Sequence, residues 1–225
     1  MNGAETEGLR TVGSTLRTHR AQRAGWTAFA SALLAADATF AVTAPLWDRL
    51  ILAIVAALAF GALAARPEHG ADAIGLRLVP AQGVKYWLRA TIGLGVILFT
   101  LLLLTPTILR WCGVAFTPPT WVHDPERIRA RVVAQAWLYP FHEEVIYRLV
   151  LCTVLAAWFR PAVTVIVGTA AFAGLHWLYG NPSPDNQLAG FVLVWAFLKS
   201  RSLIVPIVLH SLGNLCGIAV ALLSR

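Results

Sequence analysis

The chain has 225 residues, 58% of them hydrophobic and 13% charged, with a mean hydropathy of +0.68 and a formal net charge of +7. A water-soluble domain carries about a quarter charged residues, so this composition excludes a soluble globule and makes lipid the solvent. The basic excess sits mostly between apolar runs, where Arg and Lys anchor helix ends at headgroups, and this excludes nucleic acid as the partner.

Residues 1–24 are polar and carry Arg10, Arg17, Arg20 and Arg23. They read as a cytoplasmic N-terminal tail rather than a signal peptide, because the next apolar run is long enough to span. A membrane span takes about 20 mainly apolar residues. By that criterion spans are predicted near 26–47, 49–65, 88–109, 133–157, 161–178, 186–199 and 203–223, the second and sixth being short. The expectation is one all-α transmembrane domain over residues 25–225. It is a polytopic bundle of about seven spans (range six to eight), with a conical polar cavity inside the membrane.

Residues 75–87 are expected to form a short interfacial helix, since Lys85, Tyr86 and Trp87 are headgroup anchors. Most tryptophans flank spans and read the same way. Cys112, Cys152 and Cys216 are isolated and read as structural. More of the basic residues fall on the N-terminal side of the alternating loops, which puts the N-terminus inside a bacterial plasma membrane. In that count Arg49 is a charge on the outer side, and the cluster Arg127, Arg129 and Arg131 is the exception to the bias.

Ionisable groups deep in a span are costly and usually mark function. The fourth span contains His142, Glu143, Glu144 and Arg148. Glu144 and Arg148 lie one turn apart and form an ion pair. Glu143 is about 100° away from Glu144 around the helix, so it is turned away from that pair and faces the cavity. A carboxylate so placed suits general acid–base work. The fifth span carries Phe172 and His176 four apart, and the seventh carries His210 and Asn214 four apart. Gly168, Gly174, Gly213 and Gly217 lie nearby, and such small residues let helices approach closely. Pro206 is expected to kink the last helix and open space beside His210. Asp37 lies mid-span and pairs with a basic group; His142 has a structural or gating role; His19, His69 and His123 fall in loops and read as solvated.

A glutamate, two histidines and an asparagine in one membrane cavity can hydrolyse an amide without a nucleophilic side chain. Glu143 and His176 polarise a water, and His210 and Asn214 donate to the developing oxyanion. Such donors are worth on the order of 10²–10³ in rate each. Glu144 and Arg148 hold the helix in register. Zinc is the competing chemistry, but no second His follows His142 and Glu143 one turn on, and Arg148 would oppose a dication. No cofactor is therefore expected.

Glu143, Glu144 and Arg148 form a Glu-Glu-x-x-x-Arg motif, Phe172 and His176 a Phe-x-x-x-His motif, and His210 and Asn214 a His-x-x-x-Asn motif. In this order and on separate spans they resemble the CAAX-processing and bacteriocin-processing (CPBP, or Abi) family of glutamic-type intramembrane proteases, over a core of about residues 130–220. The resemblance implies an endopeptidase in which Glu143 and His176 activate water and His210 and Asn214 form the oxyanion hole, with Glu144, Arg148 and Phe172 in support. It also implies a membrane-bound or lipid-proximal protein substrate, cut near its C-terminus or membrane anchor. Two other readings stand beside it: a non-enzymatic bacteriocin-immunity or scaffold protein of the same fold, and a small transporter or proton channel. Oligomeric state is not legible.

Overall fold

The computed structural model describes residues 11–113, 120–178, 180–181 and 184–224. Arg10, Arg225 and the first ten residues of the polar tail lie outside the described residues. The chain is an all-α integral membrane protein, with a single isolated antiparallel bridge, Leu76 to Ser202, among the described residues. It divides into two compact units, Met1–Gln82 with Phe141–Pro206, and Gly83–Pro140 with Ile207–Arg225.

In the first unit a short helix α1 (Ser14–Thr18) precedes α2 (Arg20–Thr43) and α3 (Leu46–Ala64). Ala44 and Pro45 separate the last two, since proline lacks the N–H that would continue α2. Trp26 and Phe60 meet edge to face with ring centroids 4.8 Å apart. Arg17 donates to the carbonyls of Ala156 (2.6 Å) and Phe159 (3.2 Å), taking up acceptors that a helix end leaves unpaired. After α3 comes α4 (Ala71–Ile74), bounded by Gly70 and Gly75, both at positive φ. The chain then runs non-helically to α5. Arg77 N–H donates to Arg201 O (3.0 Å), Ala81 N–H to Ser200 O (2.9 Å), and Gln82 to Lys199 O (2.9 Å). The expected interfacial helix over 75–87 is therefore not formed: residues 76–82 pair with another turn instead.

Five helical segments follow one another without a break: Pro125–Val133, Ala134–Leu138, Tyr139–Glu143, Glu144–Cys152 and Thr153–Trp158. They are treated as one helix, α6, whose second and fourth segments have the wider π turn. Asp124 caps its start, accepting from the N–H groups of Glu126 (3.0 Å) and Arg127 (3.2 Å). α7 (Pro161–Leu178) and α8 (Pro184–Ser200) follow in the first unit. They pack through glycines: a Cβ on Gly168 would lie 3.2 Å from a Val194 methyl and 2.9 Å from Cys152 Sγ, and one on Gly190 would lie 3.2 Å from a Thr169 methyl. Gly174 and Gly217 have no atom that close, so the close approach belongs to Gly168 and not to them.

The second unit holds α5 (Val84–Trp111), and most of α9 (Ile204–Leu223) belongs to it. Lys85, Tyr86 and Trp87 form the first turn of α5, and Trp87 is its buried side chain. Leu88, Ile92, Val96, Leu101, Leu104 and Ile108 are exposed, as a face against acyl chains should be. α5 and α9 meet at Gly95, where a Cβ would lie 2.6 Å from a Leu212 methyl. Pro206 falls in the first turn of α9, where its missing N–H would have no partner anyway. It starts that helix and does not kink it.

Among the described residues, seven long helices overlie the seven predicted apolar runs. Five of them, α2, α3, α5, α7 and α9, are long and apolar enough to cross by length and composition. α8 has 17 residues, which is about 25 Å at 1.5 Å per residue, against a hydrocarbon core of about 30 Å.

Candidate active site

α6 carries Glu143, Glu144 and Arg148 into the first unit, where all three are buried and the last two are wholly so. Arg148 Nε lies 3.0 Å from Glu144 Oε2. The guanidinium also stacks over the Phe172 ring of α7, 4.3 Å from its centroid, where the negative face of the ring attracts the cation. Phe172 in turn meets His176, ring centroids 4.4 Å apart, and Tyr147 edge to face at 5.7 Å. The Glu144–Arg148 pair expected from spacing is present, and it continues through Phe172 to His176 as one buried chain of contacts.

His176 is oriented by its own helix. Its Nδ1 lies 2.9 Å from the carbonyl oxygen of Phe172. A carbonyl can only accept, so Nδ1 carries the hydrogen and Nε2 is the acceptor nitrogen of the neutral ring. That tautomer is the one a water-activating histidine needs.

His210 and Asn214 lie on α9 in the second unit, both half-buried. The Asn214 amide nitrogen donates to the carbonyl of Gln135, 2.7 Å away. Pro140 explains why that carbonyl is open. In the π turn Ala134–Leu138 the carbonyl of Ala134 accepts from Tyr139, five residues on. Gln135 would look to Pro140 in the same way, and proline has no N–H. The orphaned carbonyl accepts from Asn214 instead, which identifies the nitrogen end of the amide and leaves its second N–H for another acceptor. Spacing alone could not have shown this, because the sequence reads residues 133–157 as plain α-helix.

A second buried cluster in the first unit was only half legible. Asp37 of α2 is fully buried and accepts from His142 Nε2 (2.7 Å), Arg49 Nε (3.0 Å), Arg49 Nη2 (3.4 Å) and Tyr147 Oη (3.3 Å). The expected basic partner of Asp37 is thus Arg49. Arg49 itself is corrected: it is buried in α3 rather than a headgroup charge. The available signal was two opposite charges flanking the tight turn at Ala44 and Pro45. His69 is corrected too. It is fully buried, with Nε2 3.0 Å from Gln22 Oε1, whereas His19 and His123 are exposed as expected.

Residues 125–216 match the family model described as type II CAAX prenyl endopeptidase Rce1-like. This span holds all three motifs. Among curated proteins and among solved structures no match was found.

Proposed function

We propose that this chain, whose residues 125–216 match the type II CAAX prenyl endopeptidase Rce1-like family model, is an intramembrane endopeptidase of that kind working by glutamate- and histidine-activated water. Its substrate is a membrane-bound or lipid-proximal protein, cut near its C-terminus or membrane anchor. The observation that carries this reading is the buried chain Glu144–Arg148–Phe172–His176 beside Glu143. It pairs one of two adjacent carboxylates with Arg148 and ends on a histidine whose Nδ1–H is fixed by the Phe172 carbonyl.

In the proposed reaction Glu143, assisted by His176 Nε2, takes a proton from water while the water oxygen attacks the scissile carbonyl carbon. Oxyanion charge is met by donors from His210 and Asn214, a term worth a few kcal/mol per donor in a dry site. As the intermediate collapses the C–N bond breaks, and Glu143 returns the proton to the leaving nitrogen. Arg148, five residues on from Glu143 and paired with Glu144, adds a cation near this carboxylate, which favours water activation over binding a dication, and the reaction is read as metal-free. The test uses the full chain in liposomes with a fluorescence-quenched farnesylated peptide ending in Cys-aliphatic-aliphatic-X. Cleavage should persist unchanged after treatment with a strong zinc chelator. Loss with chelator and recovery with added zinc would contradict the metal-free mechanism.

A further inference from the structure

Asp37 lies outside the three motifs and outside the matched span, yet it is heavily bound. It takes four hydrogen bonds from three side chains while fully buried. A carboxylate out of water costs several kcal/mol unless it is paired and its lone pairs are filled. Arg49 supplies the opposite charge from α3. The other two donors, His142 and Tyr147, both come from α6, and they bracket Glu143 and Glu144 in sequence. α2 and α3 therefore grip α6 on either side of the carboxylate pair through one acceptor.

The chemistry of the pair with His142 is specific. Arg49 pairs with the carboxylate, and because Asp37 can only accept, His142 donates its Nε2 hydrogen to the same group. His142 is adjacent to Glu143, and a residue's side-chain anchor sets the backbone direction of its neighbour. We propose that Asp37 is a positioning residue, acting through His142 to hold the α6 turn that aims Glu143. This rests on the peptidase reading above. A displacement of about 1 Å at a reacting group can cost about 100-fold in rate, so loss of this anchor should be read in kcat rather than in substrate affinity.

The test compares wild type, Glu143→Gln, His142→Leu and Asp37→Asn with Arg49→Gln, each as the full chain in liposomes with the farnesylated peptide. His142→Leu leaves the Asp37–Arg49 pair whole, so the protein should fold with near-normal thermal stability. Its kcat should fall by about 100-fold with KM little changed. The neutral double substitution keeps an acceptor for His142 and strands no charge, so its kcat should recover toward wild type. Amide hydrogen exchange over residues 141–147 should rise in His142→Leu and not in the double variant. Wild-type kcat per folded molecule and unchanged exchange in His142→Leu would overturn the proposal. Equal inactivity of wild type and Glu143→Gln would instead count against the peptidase reading. In that case the exchange data alone decide whether the anchor orders this turn.

Discussion

A carboxylate and a guanidinium 3.0 Å apart, neither touching solvent, as Glu144 and Arg148 are, form a pair that is costly to break singly. Removing one partner from a buried pair costs about 3–5 kcal/mol, because the other charge is left desolvated. Arg148→Met should therefore lower the unfolding temperature in detergent sharply, and Glu144→Gln added to it should recover most of the loss. Loss from Arg148→Met no larger than an exposed charge gives would show that the pair is hydrated. A second prediction concerns His69, in the connection after α3. Burial, the largest influence, holds its imidazole below the ordinary 6.5; Glu68 pulls it up, while His19 and Arg66 push it down. In the unfolded chain it binds a proton near 6.5, while the folded protein resists one. Stability is thus full above that pH and is lost as pH falls through the lowered folded value. Unfolding temperature measured across this range should slope downward toward acid, and His69→Asn should flatten the slope.

At the scale of elements, the two π turns of α6 separate what the sequence could say from what it could not. The helix was legible from its apolar length, and the Glu144–Arg148 pair from four-residue spacing. The π turns were not legible, because a five-residue hydrogen-bond spacing leaves no pattern in the side chains; the first ends just before Pro140. Interior proline disfavours a helix by about 3 kcal/mol, and here it opens the Gln135 carbonyl that holds Asn214. Pro140→Ala should accordingly raise or preserve thermal stability while cutting peptide cleavage, as Asn214→Ala should. Lost stability with unchanged cleavage would contradict this account. The misread segment over 75–87 has a similar cause. Its anchors Lys85, Tyr86 and Trp87 were recognised, but backbone pairing of 76–82 with the turn at Ser200–Ser202 is long-range and leaves no local signature.

Over the whole molecule, composition alone made the bundle legible: the apolar runs became the long helices of the described residues, five of them able to span by length and composition, and the charged residues inside them became the buried clusters. Motif spacing found the pair and the aromatic contact to His176. It missed the Asp37 hub because Arg49 near a helix start resembles a headgroup anchor until its side chain is traced inward. The central claim is that Glu143 is the proton-transferring carboxylate of a membrane peptidase. The measurement that tests it most directly compares membranes holding wild type with membranes holding Glu143→Gln, using mass spectrometry of protein C-termini. The account predicts shortened membrane or exported proteins with wild type alone, both proteins folding to equal levels. Indistinguishable C-termini in the two samples would contradict it and leave the buried charges as structural supports of a non-enzymatic bundle.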